Sequence, residues 1–401
     1  MDTPLQTRLA TAARVAAIAP FHVMEVQTAA RALEAAGRSV IHMEIGEPDF
    51  PTPAPVVAAA QRAIAGGDVY YTSALGIPEL RQAIARHYAD RTGVAVAPER
   101  IVVTAGSSAA LLLVMALLVD RDDEVLLADP GYPCNRHFVR VLEGDPVGIA
   151  AGPETGYQLS ADLIARHWSP RTRAVLLASP SNPTGTAVAP AEMGRIAATV
   201  ARLSGRLSVD EIYLGLTYGA GDLPRPVSVL EAAGAAADDL FVVSSFSKYF
   251  NMTGWRLGWI VAPERHVRDL EKLAQNLYIS PATVSQRAAL ACFEPETIAI
   301  LEERRRAFRD RRDYLVPALR DLGFGIPLLP SGGFFVYADC SRFAADSQQF
   351  CRDVLQHAGV AITPGVDFGA YRAAEHVRFA YTIGQAKLEE GVARLARYLG
   401  R

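Results

Sequence analysis

Short apolar runs recur through the middle of the chain, and helical stretches separate most of them. The runs cover residues 101–104, 124–128, 174–178, 207–209, 240–244 and 258–261. The spacing of apolar residues predicts helices over 108–119, 190–203 and 227–233. Strands that are apolar on both faces and alternate with helices predict a mostly parallel sheet covered on both sides. Only about a dozen residues separate the last two runs, too few for a helical crossover, so the final strand is predicted to be antiparallel.

The character of the chain changes beyond residue 290. A long, charge-rich helix is predicted over 295–322, followed by strands over 334–338 and 377–381 and helices over 347–358 and 385–399. We therefore expect a large domain over 46–290, a small α+β domain over 291–401, and an N-terminal arm over 1–45, with a helix over 21–37, that joins the small domain. Acids interleave with the arginines of the long helix, which favours a solvated or subunit-facing helix over a nucleic-acid surface.

Composition excludes several classes of function. The 401 residues carry a formal net charge of −3, which gives no general attraction to nucleic acid or to an anionic membrane. The longest apolar run, 109–119, is too short to cross a bilayer. The four cysteines have neither metal-ligand spacing nor the density of a disulfide framework. We therefore predict no metal site and expect a protein of the reducing cytoplasm that acts on small molecules.

Polar residues follow five of the predicted strands at the point where each strand ends. The segments are Gly106-Ser107-Ser108, Asp129-Pro130-Gly131-Tyr132, residues 179–185, Asp210-Glu211-Ile212-Tyr213 and residues 245–248. Open α/β sheets bind their ligands at the carboxyl ends of the strands, so the sequence predicts a ligand site at this edge. Nucleotide-binding glycine motifs, a nucleophile elbow and a zinc-binding helix motif do not occur in the sequence.

Lys248 is one of only three lysines among the 40 basic residues. A chain that otherwise uses arginine keeps lysine where a guanidinium cannot serve, because only the ammonium group can lose its proton and become a nucleophile. Lys248 follows an apolar strand and lies among aromatic residues, whereas a surface lysine is more typical of a charged helix. Burial at such a place lowers the pKa of an amine and favours a Schiff-base role.

Two motifs surround this lysine, Ser245-x-x-Lys248 and Gly254-x-Arg256-x-Gly258. Together with Asn-Pro-Thr-Gly at 182–185 and Asp-Glu-x-Tyr at 210–213, they resemble the pyridoxal 5'-phosphate (PLP) enzymes of fold type I, specifically the class I/II aminotransferases. The resemblance extends over nearly the whole chain. It implies a large α/β domain with a mostly parallel seven-stranded sheet, covered by helices on both faces, and a smaller α+β domain.

The resemblance also implies which residues bind the cofactor ring. Lys248 would form the Schiff base with PLP, and Asp210 would keep the pyridine nitrogen protonated. A carboxylate buried at the end of an apolar strand needs a cationic partner. The protonated pyridine nitrogen would be such a partner, and an arginine would serve equally well. Tyr213 and Asn182 would bind the phenolic oxygen of the ring, and Tyr132 would stack on it unless it only packs at the rim. Lys248, Asp210 and Tyr213 are the predicted catalytic residues.

A phosphate group is bound by backbone N–H groups at the start of a helix and by positive charge. The residues implied for this role are Gly106, Ser107, Ser108, Ser245 and Arg256. Without the resemblance, the first three would be an ordinary helix cap and Arg256 an ordinary surface arginine. Tyr71 is implied to reach the phosphate bound by a neighbouring subunit, so we expect a homodimer.

Arg378 is a charge within an apolar strand, and such an arginine needs an anion. The resemblance implies that it binds the α-carboxylate of the substrate, with Gly46 and Asn182 close by. The implied reaction is transamination in two half-reactions, in which Lys248 moves a proton from the Cα atom of an amino acid and a 2-oxo acid is released. A second 2-oxo acid, such as 2-oxoglutarate or pyruvate, then accepts the amino group.

Three other functions compete with this interpretation. A carbon–sulfur lyase would share the fold, although such enzymes often carry histidine where Tyr213 stands. A cofactor-binding regulator would need a DNA-reading module, and no basic helix-turn-helix precedes residue 40. A binding protein without turnover would not need Lys248, Asp210 and Arg378 together. Because Ser108 replaces the lysine of some acid-specific relatives and residues 278–280 carry no arginine, we expect a neutral aliphatic or aromatic donor.

Overall fold

The computed structural model describes residues 11–219 and 227–401. The first ten residues of the predicted N-terminal arm lie outside the described residues. Within these ranges the strands, in chain order, are β1 (Ile41–His42), β2 (Ile101–Thr104), β3 (Glu124–Asp129), β4 (Asp145–Ala150), β5 (Thr172–Ala178), β6 (Arg206–Asp210), β7 (Phe241–Ser245), β8 (Gly258–Val261), β9 (Phe335–Asp339), β10 (Val360–Ala361), β11 (Thr363–Pro364) and β12 (His376–Ala380).

The helices begin and end largely where proline and glycine allow. In chain order they are α1 (His22–Ala35), α2 (Ala54–Gly66), α3 (Pro78–Thr92), α4 (Ser107–Leu118), α5 (Pro133–Val141), α6 (Ala161–His167), α7 (Pro190–Arg202), α8 (Val229–Ala232), α9 (Glu264–Leu277), α10 (Thr283–Ala289), α11 (Pro295–Leu322), α12 (Ser347–Asp353) and α13 (Gln385–Tyr398). Proline occupies one of the first two positions of α2, α3, α5, α7 and α11, where its missing N–H costs nothing.

A mostly parallel seven-stranded sheet forms the centre of the fold, as predicted. The strand order is β2-β8-β7-β6-β5-β3-β4. The last strand, β8, is antiparallel to both β2 and β7, which confirms the expectation drawn from the short connection before it. Strand β4 was not among the predicted runs because it is a largely exposed edge strand that contains Pro146 and Gly148.

The sheet brings the predicted polar segments to one edge. Strands β3, β5, β6 and β7 run parallel to one another, and β2 has the same direction because β8 is antiparallel to both of its neighbours. The carboxyl ends of these five strands therefore meet at one edge. Successive residues of a strand face opposite sides, so that Val102 joins the cluster under α4 and α9 while Val103 joins the cluster on the other face.

The C-terminal part of the chain forms a smaller sheet with the antiparallel order β11-β12-β9. The N-terminal segment packs on this part of the chain, because β1 pairs in parallel with β10. This contact agrees with the expected domain division, which stays a prediction. Across residues 11–219 and 227–401, no helix is both long and apolar enough to cross a membrane.

The interpretation of helix α11 as a solvated or subunit-facing element is wrong for two of its arginines. Arg311 and Arg312 are buried. Both Nη atoms of Arg311 donate to the carboxylate of Asp49, at 2.7 and 3.0 Å, and Nη1 of Arg312 donates to the carbonyl of Pro330 at 2.8 Å. Charge interleaving in the sequence did not distinguish these structural arginines from the exposed ones on the same helix.

Candidate active site

A cavity of about 340 Å³ opens at the edge where the five strands end. Residues from all five polar segments line it, together with residues from the N-terminal and C-terminal parts of the chain. The predicted site residues found in its lining are Gly46, Ser107, Ser108, Tyr132, Asn182, Asp210, Tyr213, Lys248, Arg256 and Arg378. One cavity therefore brings together residues that are more than 300 positions apart in the sequence.

Lys248 lies at the centre of this cavity. Its Nζ atom donates to the carbonyl of Gly46 at 2.6 Å and lies 5.7 Å from the centre of the Phe334 ring. Burial lowers the pKa of Lys248 to about 8, with Glu47 opposing this change and the cations of Arg378 and Arg256 adding to it. The amine is still mainly protonated at pH 7, but the lowered pKa makes the free amine, which a nucleophile or general base requires, far more accessible near neutral pH than in an ordinary lysine.

Asp210, at the end of β6, is a buried carboxylate without an ion-pair partner among the described residues. Its Oδ1 accepts a hydrogen bond from the backbone N–H of Ile212 at 3.0 Å. Burial raises the pKa of Asp210 to about 7, although that N–H group and the Lys248 cation both favour the charged form. The arginine partner that the sequence left open is not found here, so the carboxylate is available to a cationic ligand group.

The predicted phosphate corner forms around the start of α4. Gly106 precedes this helix with φ of +87°, and an added Cβ atom would lie 2.7 Å from Nη2 of Arg256. A Cβ atom on Gly258 would lie 2.9 Å from the backbone nitrogen of Ser107. These close approaches leave the N–H groups and hydroxyls of α4 beside the Arg256 guanidinium, an arrangement suited to a bound phosphate.

Three predicted cofactor residues do not line the cavity: Gly106, which directly precedes α4, Ser245 and Tyr71. The Ser245 hydroxyl is held inside its own turn, donating to the carbonyl of Leu257 at 3.1 Å, and Ser247 lines the cavity instead. Tyr71 is 81% exposed, and it is not in the lining of its own chain's cavity. The role of Ser245 in binding phosphate and the role of Tyr71 in a neighbouring subunit stay predictions.

The predicted ring-binding residues Tyr132, Asn182 and Tyr213 line the same cavity as Lys248 and Asp210. Tyr213 is buried, and burial raises the pKa of its hydroxyl. Its ring meets the rings of Phe334 and Phe335 edge-on, at centroid distances of 5.4 and 5.9 Å. Tyr132 also lines the cavity, and its ring meets that of Phe21 edge-on at 6.3 Å.

Arg378 enters the cavity from β12. Its Nη1 donates to Oδ1 of Asn182 at 2.9 Å, and its Nη2 donates to the carbonyl of Glu44 and to the Thr363 hydroxyl. The buried Nε atom has no hydrogen-bond partner among the described residues. Burial lowers the pKa of this guanidinium to about 10, which still leaves it charged at neutral pH.

Two phenylalanines flank the Arg378 guanidinium. Its Cζ lies 4.3 Å from the ring centre of Phe335 and 4.8 Å from that of Phe368. Sequence reasoning missed both rings, because one lies in β9 and the other in the turn before β12, and no pattern connects them. The aromatic contacts fix the plane of the fork and exclude water from it, which favours bidentate recognition of a carboxylate.

Helix α1 forms a wall of the cavity that the sequence did not predict. Phe21, Val23, Met24 and Gln27 all line the cavity. The sequence predicted only a helix over 21–37 in this region. The four cavity residues lie at the N-terminal end of α1, and no local pattern marks them as a binding surface until the position of the helix is known.

The fold and this cavity define the chain as a class I and II aminotransferase. The profile of the family described as aminotransferase class I and II matches residues 38–395. The chain is 38% identical to the valine–pyruvate aminotransferase of Mycobacterium tuberculosis, over 96% of this chain and 97% of that protein. It is 35% identical to the aspartate/prephenate aminotransferase of Thermus thermophilus, over 97% and 98% of the two chains.

The solved structures agree with this classification. A crystal structure of an aminotransferase from Mycobacterium tuberculosis superposes with a TM-score of 0.92 at 38% identity, covering 98% of this chain and 99% of that one. The protein is thus a PLP-dependent enzyme that transaminates amino acids. The carbon–sulfur lyase considered as the alternative finds no support among these relatives.

The cavity fits the cofactor on independent grounds. A buried acid without an ion-pair partner, a nucleophilic amine and a helix start beside an arginine are each matched by one group of PLP. When bound, the cofactor supplies an aldehyde and an electron-withdrawing ring. The residues that would hold it are Lys248, Asp210, Asn182, Tyr213, Ser107, Ser108 and Arg256.

Proposed function

We propose that this aminotransferase takes its amino group from a neutral L-amino acid, aliphatic or aromatic, and passes it to a 2-oxo acid. The observation that carries this proposal is the set of cations at the cavity. Among the described lining residues these are Lys248, Arg256 and Arg378, which would serve the aldehyde, the phosphate and the α-carboxylate respectively. No fourth cation lines the described cavity to neutralise a carboxylate on the donor's side chain.

Two further observations support a neutral donor. Ser108, which stands where some acid-specific enzymes of the family carry lysine, lines the cavity. Phe21, Val23, Met24 and Ile45 supply an apolar wall, and burial of aliphatic or aromatic groups against such a wall is favourable. One relative is named a valine–pyruvate aminotransferase, although another is named for aspartate and prephenate.

We infer the following division of work among the residues. Arg378 and Asn182 orient the donor by its carboxylate, and Gly46 leaves room for it, since a Cβ atom there would lie 2.5 Å from Phe335. Asp210 would hold the pyridine nitrogen of PLP in its protonated form, and the bound cofactor would supply the electron-withdrawing ring that acidifies the donor's Cα–H. The Lys248 amine would serve as the general base and acid that moves the proton at the donor's Cα.

The test is a single-turnover measurement on the holoenzyme with alanine, valine, phenylalanine and aspartate. Each productive donor should change the absorbance of the bound cofactor and yield one equivalent of its 2-oxo acid. Lys248→Ala, which keeps the other contacts, should yield none. Faster conversion of aspartate than of the three neutral donors would contradict the proposal. Adding pyruvate or 2-oxoglutarate afterwards identifies the acceptor.

We propose that two copies of this chain form a homodimer. The large exposed apolar side chains include Ile64 of α2, Tyr70, Tyr71, Leu277 at the end of α9 and Ile279 just after that helix. These segments meet around α10, because α2 packs against α10 and the Thr283 hydroxyl donates to the carbonyl of Tyr70. An apolar surface of this kind favours burial in an interface, and it would carry Tyr71 to the partner's site.

We also propose the domain division at residues 46 and 290, with residues 1–45 completing the small domain, and residence in the cytoplasm. The pairing of β1 with β10 supports the first. Four unpaired cysteines, three of them buried, support the second, because a reducing compartment keeps thiols free.

A further inference from the structure

Helix α1 reaches the cavity without a cap of its own. Its N-cap residue is Phe21, whose side chain cannot accept a hydrogen bond from the first N–H groups of the helix. A residue 345 positions away takes this role: the backbone N–H of His22 donates to Oδ1 of Asp367 at 2.9 Å. The first turn of α1, which carries Val23 and Met24 into the cavity, is thereby attached to the C-terminal part of the chain.

Asp367 is itself firmly held. It is 2% exposed, and Nη2 of Arg136 donates to its carbonyl at 2.5 Å. Two residues of the same turn are fixed by a second acid, since the backbone N–H groups of Ala370 and Tyr371 donate to the Asp129 carboxylate at 2.9 and 3.2 Å. The backbone that carries the acceptor is therefore held by several contacts, and the second carboxylate oxygen, Oδ2, is buried without a hydrogen-bond partner among the described residues. Helix α1, in contrast, contributes only Val23 and Ala30 as buried residues.

The Asp367 carboxylate also lies in the field of Arg378. Burial raises the pKa of Asp367, and the Arg378 cation is the largest influence that opposes this change. A simpler role for Asp367 would be to balance the charge of Arg378. That role does not account for the hydrogen bond to His22, and the hydrogen-bond acceptors of Arg378 among the described residues are Asn182, Glu44 and Thr363, not Asp367.

We propose that Asp367 is a positioning residue. By accepting a hydrogen bond from the His22 N–H, it holds the first turn of α1 against the substrate cavity. The position of α1 in turn determines how the enzyme discriminates among donor side chains. The proposal rests on the function proposed above, because it treats α1 as the wall that the donor's side chain meets. It predicts that substitutions can separate the positioning of α1 from the balancing of the Arg378 charge.

Three variants of the holoenzyme separate the positioning of α1 from charge balance at Arg378. Asp367→Ala removes both the acceptor and the charge, and Asp367→Asn keeps an acceptor oxygen without the charge. His22→Pro removes the donor N–H and leaves the Asp367 carboxylate in place, although it also removes the imidazole that contacts Glu25 at 3.0 Å. Proline is well tolerated at the first helical position, and Phe21 already has the extended backbone that precedes proline. Ser160→Ala is the matched control, because it removes the cap of α6 at the N–H of Leu163 without touching the cavity.

Two quantities are measured for each variant: amide hydrogen exchange over α1, and the ratio of kcat/KM for phenylalanine to that for alanine. Asp367→Ala and His22→Pro should both accelerate exchange in α1 by about 5- to 30-fold, the range expected for a lost helix cap. Both should shift the kcat/KM ratio by about 5-fold or more in the same direction. Asp367→Asn should change both quantities less, and Ser160→Ala should accelerate exchange in α6 alone.

The proposal is overturned if exchange in α1 is unchanged in Asp367→Ala and His22→Pro. It is equally overturned if both Asp367 variants raise KM for every donor alike while His22→Pro behaves as wild type, since that result identifies charge balance at Arg378. Hydrogen exchange needs no turnover, so it tests the positioning of α1 even if no neutral amino acid proves to be a donor. That failure would count against the proposed function alone.

Discussion

Arg378 is a buried cation whose surroundings favour an anionic ligand before any ligand binds. Its guanidinium is buried between two aromatic rings, and its protein partners are neutral oxygens of Asn182, Glu44 and Thr363. Taking a cation out of water without a matching anion is costly, so an incoming carboxylate gains both a Coulombic attraction and hydrogen bonds.

We predict that Arg378→Lys raises the KM for all donors because an ammonium group cannot make two parallel hydrogen bonds to a carboxylate. The expected loss in kcat/KM is roughly 10- to 150-fold, the value of a hydrogen bond between charged groups. Steady-state kinetics measure it. Arg312→Lys is the control, since Arg312 is equally buried but donates to the Pro330 carbonyl away from the cavity. An unchanged KM in Arg378→Lys would remove Arg378 from carboxylate binding.

Asp210 and its neighbour Glu211 give a prediction about pH. Burial raises the pKa of each to about 7, but Glu211 has local partners in the Ser228 hydroxyl and the Val229 N–H, whereas Asp210 faces the cavity. A carboxyl whose pKa rises on folding contributes stability that is full below its unfolded value and is lost as pH rises through its folded value. For Asp210 that window runs from 3.8 to about 7.

Cofactor-free Asp210→Asn should therefore gain stability relative to the cofactor-free wild type as pH rises from 4 to 7, by at most about 1.4 kcal/mol per pH unit, and the difference should level off above pH 7. Urea unfolding at each pH measures it. Asp210→Asn should also bind PLP more weakly, whereas Glu211→Gln should not. A stability difference that does not vary with pH would mean that Asp210 is already ionised in the folded apoprotein.

At the scale of elements, the site depends on glycines that let a helix start and a strand approach closely. Gly106 has φ of +87° and ψ of 168°, a conformation that only glycine adopts readily. We predict that Gly106→Ala lowers PLP affinity at least tenfold, because the added methyl group strains the backbone by about 1–3 kcal/mol and displaces the Arg256 guanidinium. Equilibrium titration with PLP measures the affinity.

The matched control for this prediction is Gly93→Ala at the end of α3. Gly93 also has positive φ, +75°, but an added Cβ atom would meet nothing within 4 Å. This variant should lose stability by about 1–2 kcal/mol and keep its PLP affinity. Equal affinity losses in the two variants would show that general destabilisation, and not the contact with Arg256, causes the effect.

The sequence predicted most elements because its apolar runs are continuous and its helices end at proline or glycine. Helix α11 was predicted with its observed bounds, and the ends of β2 and β8 also agree. The edge strand β4 escaped prediction because exposed positions at a sheet edge carry no apolar run. The cavity wall formed by α1 was not predicted for a different reason. The position of this helix depends on a hydrogen bond between residues 22 and 367, and no local pattern encodes such a contact.

At the scale of the whole molecule, the structure of one chain alone gives the exposed Tyr71 side chain no role. Tyr70 and Tyr71 are 78% and 81% exposed, yet they lie beside the apolar segments of the proposed interface. In a two-fold symmetric dimer each surface residue near the axis meets the partner, so Tyr71 of one chain can complete the phosphate site of the other. Each active site would then need Lys248 from one subunit and Tyr71 from the other.

Mixing two inactive variants tests this arrangement directly. Lys248→Ala and Tyr71→Ala should each have little activity alone, but a hybrid dimer contains one site with both residues intact and one site with neither. Random reassembly makes about half of the dimers hybrid, so the mixture should recover roughly one quarter of wild-type activity. A mixture that gives only the sum of its components would place Tyr71 outside the partner's site. Tyr70→Ala should be active without mixing, because its equally exposed ring has no proposed role in the phosphate site.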